Sequence, residues 1–188
     1  MINLNIASIL GEASILVPHD VTVVDQLAAL TEINRDFFNV VKIPKQARFS
    51  TVASQNEYTL ASDIRQKNID LVMVGMFRYR SLDSEAVTPF QNAYTFDDIE
   101  HKLTLWPAPY DTLEGFLRYH RIGTSNFTSD NLGAVPDAPE EYHWSYVLAL
   151  AAYLANTQDD AIKAANYEAQ YKAMWNVAAQ NYSGAVST

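Results

Sequence analysis

The sequence predicts an α+β fold in which a helical bundle, residues 1–44 and 123–188, carries an inserted antiparallel β-sheet or sandwich segment, residues 45–122. Two observations support this prediction. Apolar residues recur every three or four positions near both ends of the chain, which is the period of an α-helix. In the middle of the chain they alternate with polar residues in short runs bounded by turn residues, which is typical of strands.

The N-terminal part of the bundle is predicted to contain two helices. Residues 3–13 form a short first helix. Residues 21–38 form a longer one, with apolar side chains at helical spacing at Val23, Val24, Leu27, Leu30, Ile33 and Phe37. Asp20 or Thr22 can cap its start, and Pro44 stops any helix that follows.

The middle segment is predicted to form six short strands joined by tight turns, which favours antiparallel pairing. The predicted strands are residues 48–53, 58–60, 69–80, 93–96, 101–106 and 113–122. The longest run is interpreted as one strand, with Met73 and Phe77 on one face and Val74 and Arg78 on the other.

The C-terminal part is predicted to form a long helix pair, residues 140–156 and 161–181. The first of these is apolar on nearly every side, so we expect it to be buried on every side, in the bundle or against a neighbouring subunit. Trp144 is expected to lie in the core. The aromatic residues predicted to pack in the bundle or between subunits are Tyr142, Trp144, Tyr146, Tyr153 and Trp175.

Composition excludes several classes of protein. The formal charge is −9, which disfavours a reader of DNA sequence, because such proteins present a basic face to phosphates. No cysteine is present, which excludes disulfides and thiolate metal sites. No apolar run approaches the roughly 20 residues of a membrane span, so no membrane partner is expected. The first residues lack a basic stretch before their apolar residues, so we expect no signal peptide and synthesis in the cytoplasm.

No arrangement of residues predicts catalysis, and no catalytic residue, cofactor or metal ligand is assigned. The glycines are too scattered for a phosphate-binding loop, and the four histidines are not paired at metal-ligand spacing. Four arginines, Arg78, Arg80, Arg118 and Arg121, could form a basic patch. A solvated sheet face explains them better than a contact with nucleic acid.

The order of the motifs resembles the head-to-tail adaptor proteins of tailed bacteriophages, also called neck or connector-completion proteins. The resemblance covers residues 22–180. It begins with a helix ending in Phe37-Phe38, followed by the segment from Gln55 to Leu60 with its central Tyr58. The chain continues with Leu-Thr-Leu-Trp-Pro-Ala-Pro at 103–109, then Phe-Leu-Arg-Tyr-His, and last Pro136-Asp137 before an alanine-rich helix pair.

This resemblance implies a structural virion protein at the head–tail junction and not an enzyme. It implies a closed homo-oligomeric ring of roughly twelve copies beneath the portal protein. The ring would extend the channel through which double-stranded DNA passes without sequence-specific binding, and it would attach the tail or the next neck protein. By the same analogy the C-terminal segment would dock onto the portal, through Tyr182, Ser183, Val186 and Thr188.

Two alternatives stay open at this point. A tail-completion or tail-terminator protein would share the acidic, tyrosine-rich and cysteine-free composition, although such folds are usually dominated by sheet. A small-ligand-binding protein would need convergent polar residues in one deep pocket. An exposed apolar surface on the isolated subunit would favour the adaptor.

Overall fold

The computed structural model describes residues 4–82 and 91–183 and confirms the mixed α+β fold, with helices at both ends of the chain and a β-rich segment between them. The chain divides into two compact units. The described residues up to Lys42 and from Gly123 onward form a helical unit, and Ile43–Ile122 forms a β unit.

The helical unit contains four α-helices, each starting where the sequence offers a capping group or a turn. They are α1 (Ile6–Leu16), α2 (Val23–Val40), α3 (His143–Thr157) and α4 (Ala161–Ser183). The side chains of Asn5 and Thr22 accept hydrogen bonds from backbone N–H groups in the first turns of α1 and α2. A 3₁₀ turn, Glu140–Tyr142, leads directly into α3.

Phe37 of α2 lies at the centre of the core of the helical unit. Its ring centroid is 5.2 Å from that of Phe38, 5.6 Å from that of Trp175, and 5.9 Å from those of Tyr142 and Tyr146. The Trp175 indole N–H donates to the Ser145 hydroxyl at 2.9 Å, which satisfies both buried polar groups. Aromatic contacts and paired polar groups therefore join α2, α3 and α4.

Hydrogen bonds hold the loop before α3 against α2. The Asn34 amide donates to the Asp137 carboxylate at 2.8 Å, and the Tyr146 hydroxyl donates to the Asn34 side-chain oxygen at 2.9 Å. The same carboxylate accepts from the backbone N–H groups of Thr124 and Ser125, at 2.7 and 2.9 Å. Burial alone would raise the pKa of Asp137, but these donors outweigh it and hold the pKa below its usual value.

The β unit is one seven-stranded sheet. Its strands are β1 (Pro44–Ser50), β2 (Glu57–Thr59), β3 (Ile69–Val74), β4 (Phe77–Ser81), β5 (Ala93–Asp97), β6 (Lys102–Trp106) and β7 (Glu114–His120). They lie in the order β1-β7-β3-β4-β5-β6-β2. Every pair is antiparallel except β4 and β5, which pair in parallel, so the sheet departs at that point from the antiparallel prediction.

One face of this sheet covers an apolar core. The core residues are Tyr58, Ile64, Val72, Val74, Tyr79, Tyr94, Phe96, Leu103, Leu105, Leu117 and Tyr119. The Tyr119 hydroxyl donates to the Asp63 carboxylate at 3.1 Å, and Lys45 also contacts that carboxylate, at 2.8 Å. Burial raises the pKa of Tyr119, and the neighbouring Asp63 charge raises it further.

The β unit begins and ends at adjacent points. The backbone N–H of Arg121 donates to the carbonyl oxygen of Ile43 at 3.1 Å, one step beyond the ladder of β1 and β7. The chain therefore leaves the unit beside the place where it came in.

The single long strand predicted over 69–80 is wrong, because a two-residue turn divides it. Gly75 has a φ of +57°, a conformation that suits glycine, and Gly75-Met76 connects β3 to β4. The turn pairs Val74 with Phe77 and Met73 with Arg78. Arg78 therefore shares a face with Met73 and not, as predicted, with Val74.

The helical unit alone does not bury α3 on every side, so burial of its remaining surface against a neighbouring subunit stays a prediction. Trp144 is 43% exposed and Tyr153 is 37% exposed on α3. The two residues are nine positions apart and so lie on opposite sides of α3, whereas Tyr146 and Leu150 are fully buried. Trp144 is therefore not a core residue.

Candidate interaction surfaces

An acidic groove lies where α2, α3 and α4 meet. It is open to solvent, with a volume of about 370 Å³. Small residues form its floor, among them Ala29, Ala149 and Ala152, and Tyr153 lies at its side. We call this feature the acidic groove because its charged lining residues within the described chain are Glu32, Asp36 and Glu168.

Two of the three carboxylates of the acidic groove form ion pairs with neighbours on their own helices. Glu32 forms an ion pair with Arg35 at 2.5 Å, and Glu168 forms one with Lys172 one helical turn away. Burial raises the pKa of the Tyr171 hydroxyl, and the nearby Glu168 and Asp36 carboxylates raise it further, although Lys172 opposes them. The phenol thus stays neutral beside two carboxylates.

A second surface is the outer face of the sheet, opposite the core of the β unit. The strand register places Arg48, Phe116, Met73 and Arg78 in one row across four neighbouring strands. The next row contains Gln46, Arg118 and Leu71. We call this surface the basic sheet face: its apolar centre is half-buried, and arginines flank it.

Acidic residues lie close to the arginines of the basic sheet face. Arg48 forms an ion pair with Glu114 at 2.5 Å, although both side chains are about two-thirds exposed. His120 lies 3.4 Å from Asp70 at the same face. The Arg118 Nε atom is buried and lacks a hydrogen-bond partner among the described residues, and Arg78 and Arg80 on β4 are exposed.

A third surface is apolar and lies at one end of the β unit, where three connections meet. Its exposed side chains are Val52, Met76, Phe77, Trp106 and Tyr110. Backbone hydrogen bonds hold the connections together: Ser54 donates to the Pro109 carbonyl at 2.8 Å, and Gly75 donates to the Glu114 carbonyl at 2.9 Å. We call this cluster the apolar loop end.

The structure places the predicted packing residues in two groups. Tyr142, Tyr146 and Trp175 lie in the core of the helical unit, around Phe37. Trp144 and Tyr153 lie at the surface, so only the contact between subunits remains as a prediction for them.

The proposed portal-docking segment is only partly within the described chain. Tyr182 and Ser183 belong to the last turn of α4, which runs two residues beyond the predicted helix end. Val186 and Thr188 lie outside the described residues.

Within residues 4–82 and 91–183, no three His, Cys, Asp or Glu side chains gather in a way that could hold a metal ion. His143, the most deeply buried histidine there, donates its Nε2–H to the Ala138 carbonyl at 2.9 Å, which is a packing role. In the same part of the chain, no helix combines the length and apolarity that crossing a membrane requires.

The sequence indicates the arginines of the basic sheet face as a patch but does not predict how the strands arrange them, and it gives no prediction of the acidic groove. The signal for the acidic groove was present, because Ala29, Glu32 and Asp36 recur at helical spacing opposite the apolar stripe of α2. The basic sheet face depends on the turn at Gly75, which brings Arg78 and Arg80 to the side of Arg118. A single strand over 69–80 gives no such arrangement.

Comparison with known proteins gives one result that covers nearly the whole chain. A family model described as SU10 adaptor protein matches residues 4–188. No curated protein matches the chain.

Proposed function

The chain belongs to the SU10 adaptor protein family, a phage head–tail adaptor family, and from this membership we propose that it forms a ring below the portal protein at the head–tail junction. It is a structural adaptor protein of a bacteriophage and a virion component. The ring would extend the channel for double-stranded DNA and attach the tail or the next neck protein. The observation that carries this proposal is the family match over residues 4–188.

The surface of the protein supports a role in assembly. Helix α4 has 23 residues but buries only Ala164, Trp175 and Ala178, so most of its length is available to a partner. The apolar loop end adds five large exposed side chains, at an end of the β unit where backbone hydrogen bonds join the connections. Exposed apolar clusters of this kind are typical of protein–protein contacts.

The first experiment is to measure the mass of the purified chain with and without the portal protein of the same phage, by sedimentation velocity and native mass spectrometry. We expect the portal to convert the free chain into a bound ring. The same mass with and without the portal protein would contradict the proposal. If that chain then bound the tail tube, the tail-completion alternative would be favoured.

The C-terminal segment can be tested in the same assay. We predict that removing residues 182–188 leaves the helical unit folded, because the contact of Asn181 with the Tyr142 hydroxyl at 3.2 Å and the packing of Trp175 are retained. Portal binding should weaken by tenfold or more. A truncated chain with normal melting temperature and normal portal binding would exclude a docking role for Tyr182 and Ser183.

A further inference from the structure

The basic sheet face has the features of a surface made for a protein partner. Its centre, formed by Leu71, Met73 and Phe116, is apolar and only half-buried. Arginines stand on both sides of that centre, on β1 and β7 and again on β4. With strands about 4.8 Å apart, Arg48 and Arg78 lie roughly 14 Å from each other across the row.

The mixture of groups on this face favours a protein over a nucleic acid. Glu114 and Asp70 lie among the arginines, where they would oppose a phosphate backbone. An apolar centre within a polar rim is the usual pattern of a protein–protein interface, and arginine is enriched in such interfaces. The partner should therefore present carboxylates around an apolar surface.

The acidic groove of the same chain meets this description. Its described lining has three carboxylates and small alanine residues, with Tyr153 exposed beside them. The β unit is much less acidic than the rest of the chain: residues 43–122 contain nine basic and ten acidic residues, a net charge of −1, whereas the remaining residues contain four basic and 12 acidic, a net charge of −8. The complementarity therefore lies in the local surfaces, where arginines of one copy can face carboxylates of another, and such complementarity selects partners and sets their register.

We propose that the basic sheet face of one copy docks against the acidic groove of a second copy. Two different surfaces then meet at every contact, so the interface is heterologous. Repeated contacts of this kind close into a ring when the rotation between neighbouring copies divides a full turn. The inference rests on the ring assembly proposed above and specifies its subunit interface. Arg48 and Arg78 would face Glu32, Asp36 and Glu168 of the neighbouring copy.

The absence of cysteine from the chain allows a clean cross-linking test. One copy carries Arg78→Cys and a second copy, of different mass through a tag, carries Glu32→Cys. The two are mixed, assembled with the portal protein, and treated with a short bis-maleimide. We expect a cross-linked heterodimer in the mixture and none from either variant alone, because each variant supplies only one side of the contact.

The matched control replaces Arg78→Cys with Ile99→Cys, which is 89% exposed but lies in the β5–β6 turn, away from the basic sheet face. This pair should give no heterodimer. Rings that form on the portal without the Arg78–Glu32 cross-link would overturn the interface while leaving the proposed function intact. A chain that neither binds the portal nor cross-links would contradict both.

Charge reversal gives a second and independent readout. Arg78→Glu with Arg80→Glu should weaken self-association at least tenfold, because like charges then face each other. A copy with Glu32→Arg and Asp36→Arg should restore association with that variant. If reversal instead abolishes binding to double-stranded DNA, and no heterodimer is found, the face belongs to nucleic acid and the proposal is wrong.

Discussion

At the scale of single residues, Asn34 and Asp137 show how polar groups can hold a helical core together. Asn34 is fully buried on α2, and the loop before α3 depends on the carboxylate that it binds. Pro136-Asp137 stands out as a motif in the sequence. Nothing there indicates that Asp137 binds Asn34, because Asn34 and Asp137 are 103 positions apart. A contact between residues so far apart in the sequence can be recognised only when the fold is known.

We predict that acid weakens the fold through Asp137. Its lowered pKa means that the folded state favours the carboxylate, so the stabilisation is complete above the unfolded pKa of about 3.9 and is lost as pH falls through the folded value. Urea unfolding between pH 7 and pH 3 should show a decline below about pH 4. Asp137→Asn should flatten that part of the profile; an unchanged profile would show that the cluster does not couple to folding.

The two tryptophans of α3 and α4 are predicted to differ in their effect on stability. Trp175 is 5% exposed and contacts Phe37, Tyr171 and Ser145, so Trp175→Ala should cost about 3–5 kcal/mol. Trp144→Ala should cost about 1 kcal/mol or less in the isolated subunit. Chemical denaturation of both variants tests this, and equal losses would contradict the assigned positions.

The contrast between these tryptophans shows the limit of pattern reading. The apolar residues of α3 surround the whole helix in sequence, and nothing in their spacing separates Tyr146, which packs on Phe37, from Trp144, which does not. The reason is physical: a side chain that contacts a partner protein is as apolar as one that packs in the core, so the spacing of apolar residues does not separate the two.

At the scale of elements, strand alternation predicted the faces of β6 and β7 correctly. Leu103 and Leu105 are buried together, as are Leu117 and Tyr119. It failed at the β3–β4 hairpin, because Gly75-Met76 is not one of the dipeptides that signal a two-residue turn most strongly. If Gly75-Met76 is treated as part of one strand, the alternation places Arg78 and Arg80 on the wrong face of the sheet.

We predict that the hairpin depends on the backbone conformation of Gly75. Gly75→Val should destabilise the β unit by about 1–2 kcal/mol, because a side chain at positive φ is strained and a β-branched one most of all. Gly75→Asn should be tolerated better, since asparagine accepts this conformation. Thermal unfolding of the pair provides the measurement, and equal stability of the two variants would argue against the turn.

At the scale of the whole molecule, the β unit is an insertion whose two connections leave from one point. The Arg121 to Ile43 hydrogen bond holds them side by side. The change of hydrophobic period along the chain predicts a division at residues 44 and 122, and independent folding of the two parts stays a prediction.

We predict that the helical unit folds without the insertion. Replacing Ile43–Ile122 with a short Gly–Ser linker should leave a helical protein with a cooperative unfolding transition, because its core around Phe37 lies within α2, α3 and α4. Far-UV circular dichroism during urea unfolding tests this against the full chain. Loss of the cooperative transition would show that the helices require the β unit.

The placement of the two connections also has a mechanical consequence. They attach to the start of β1 and the end of β7, which are paired at the same end of one antiparallel ladder. A pulling force carried through the connections would therefore open the hydrogen bonds one rung at a time, beginning at Ile43 and Arg121, as in unzipping. Force applied along the strands would instead strain all rungs together, so the β unit resists tension far better in that direction than through its own attachment.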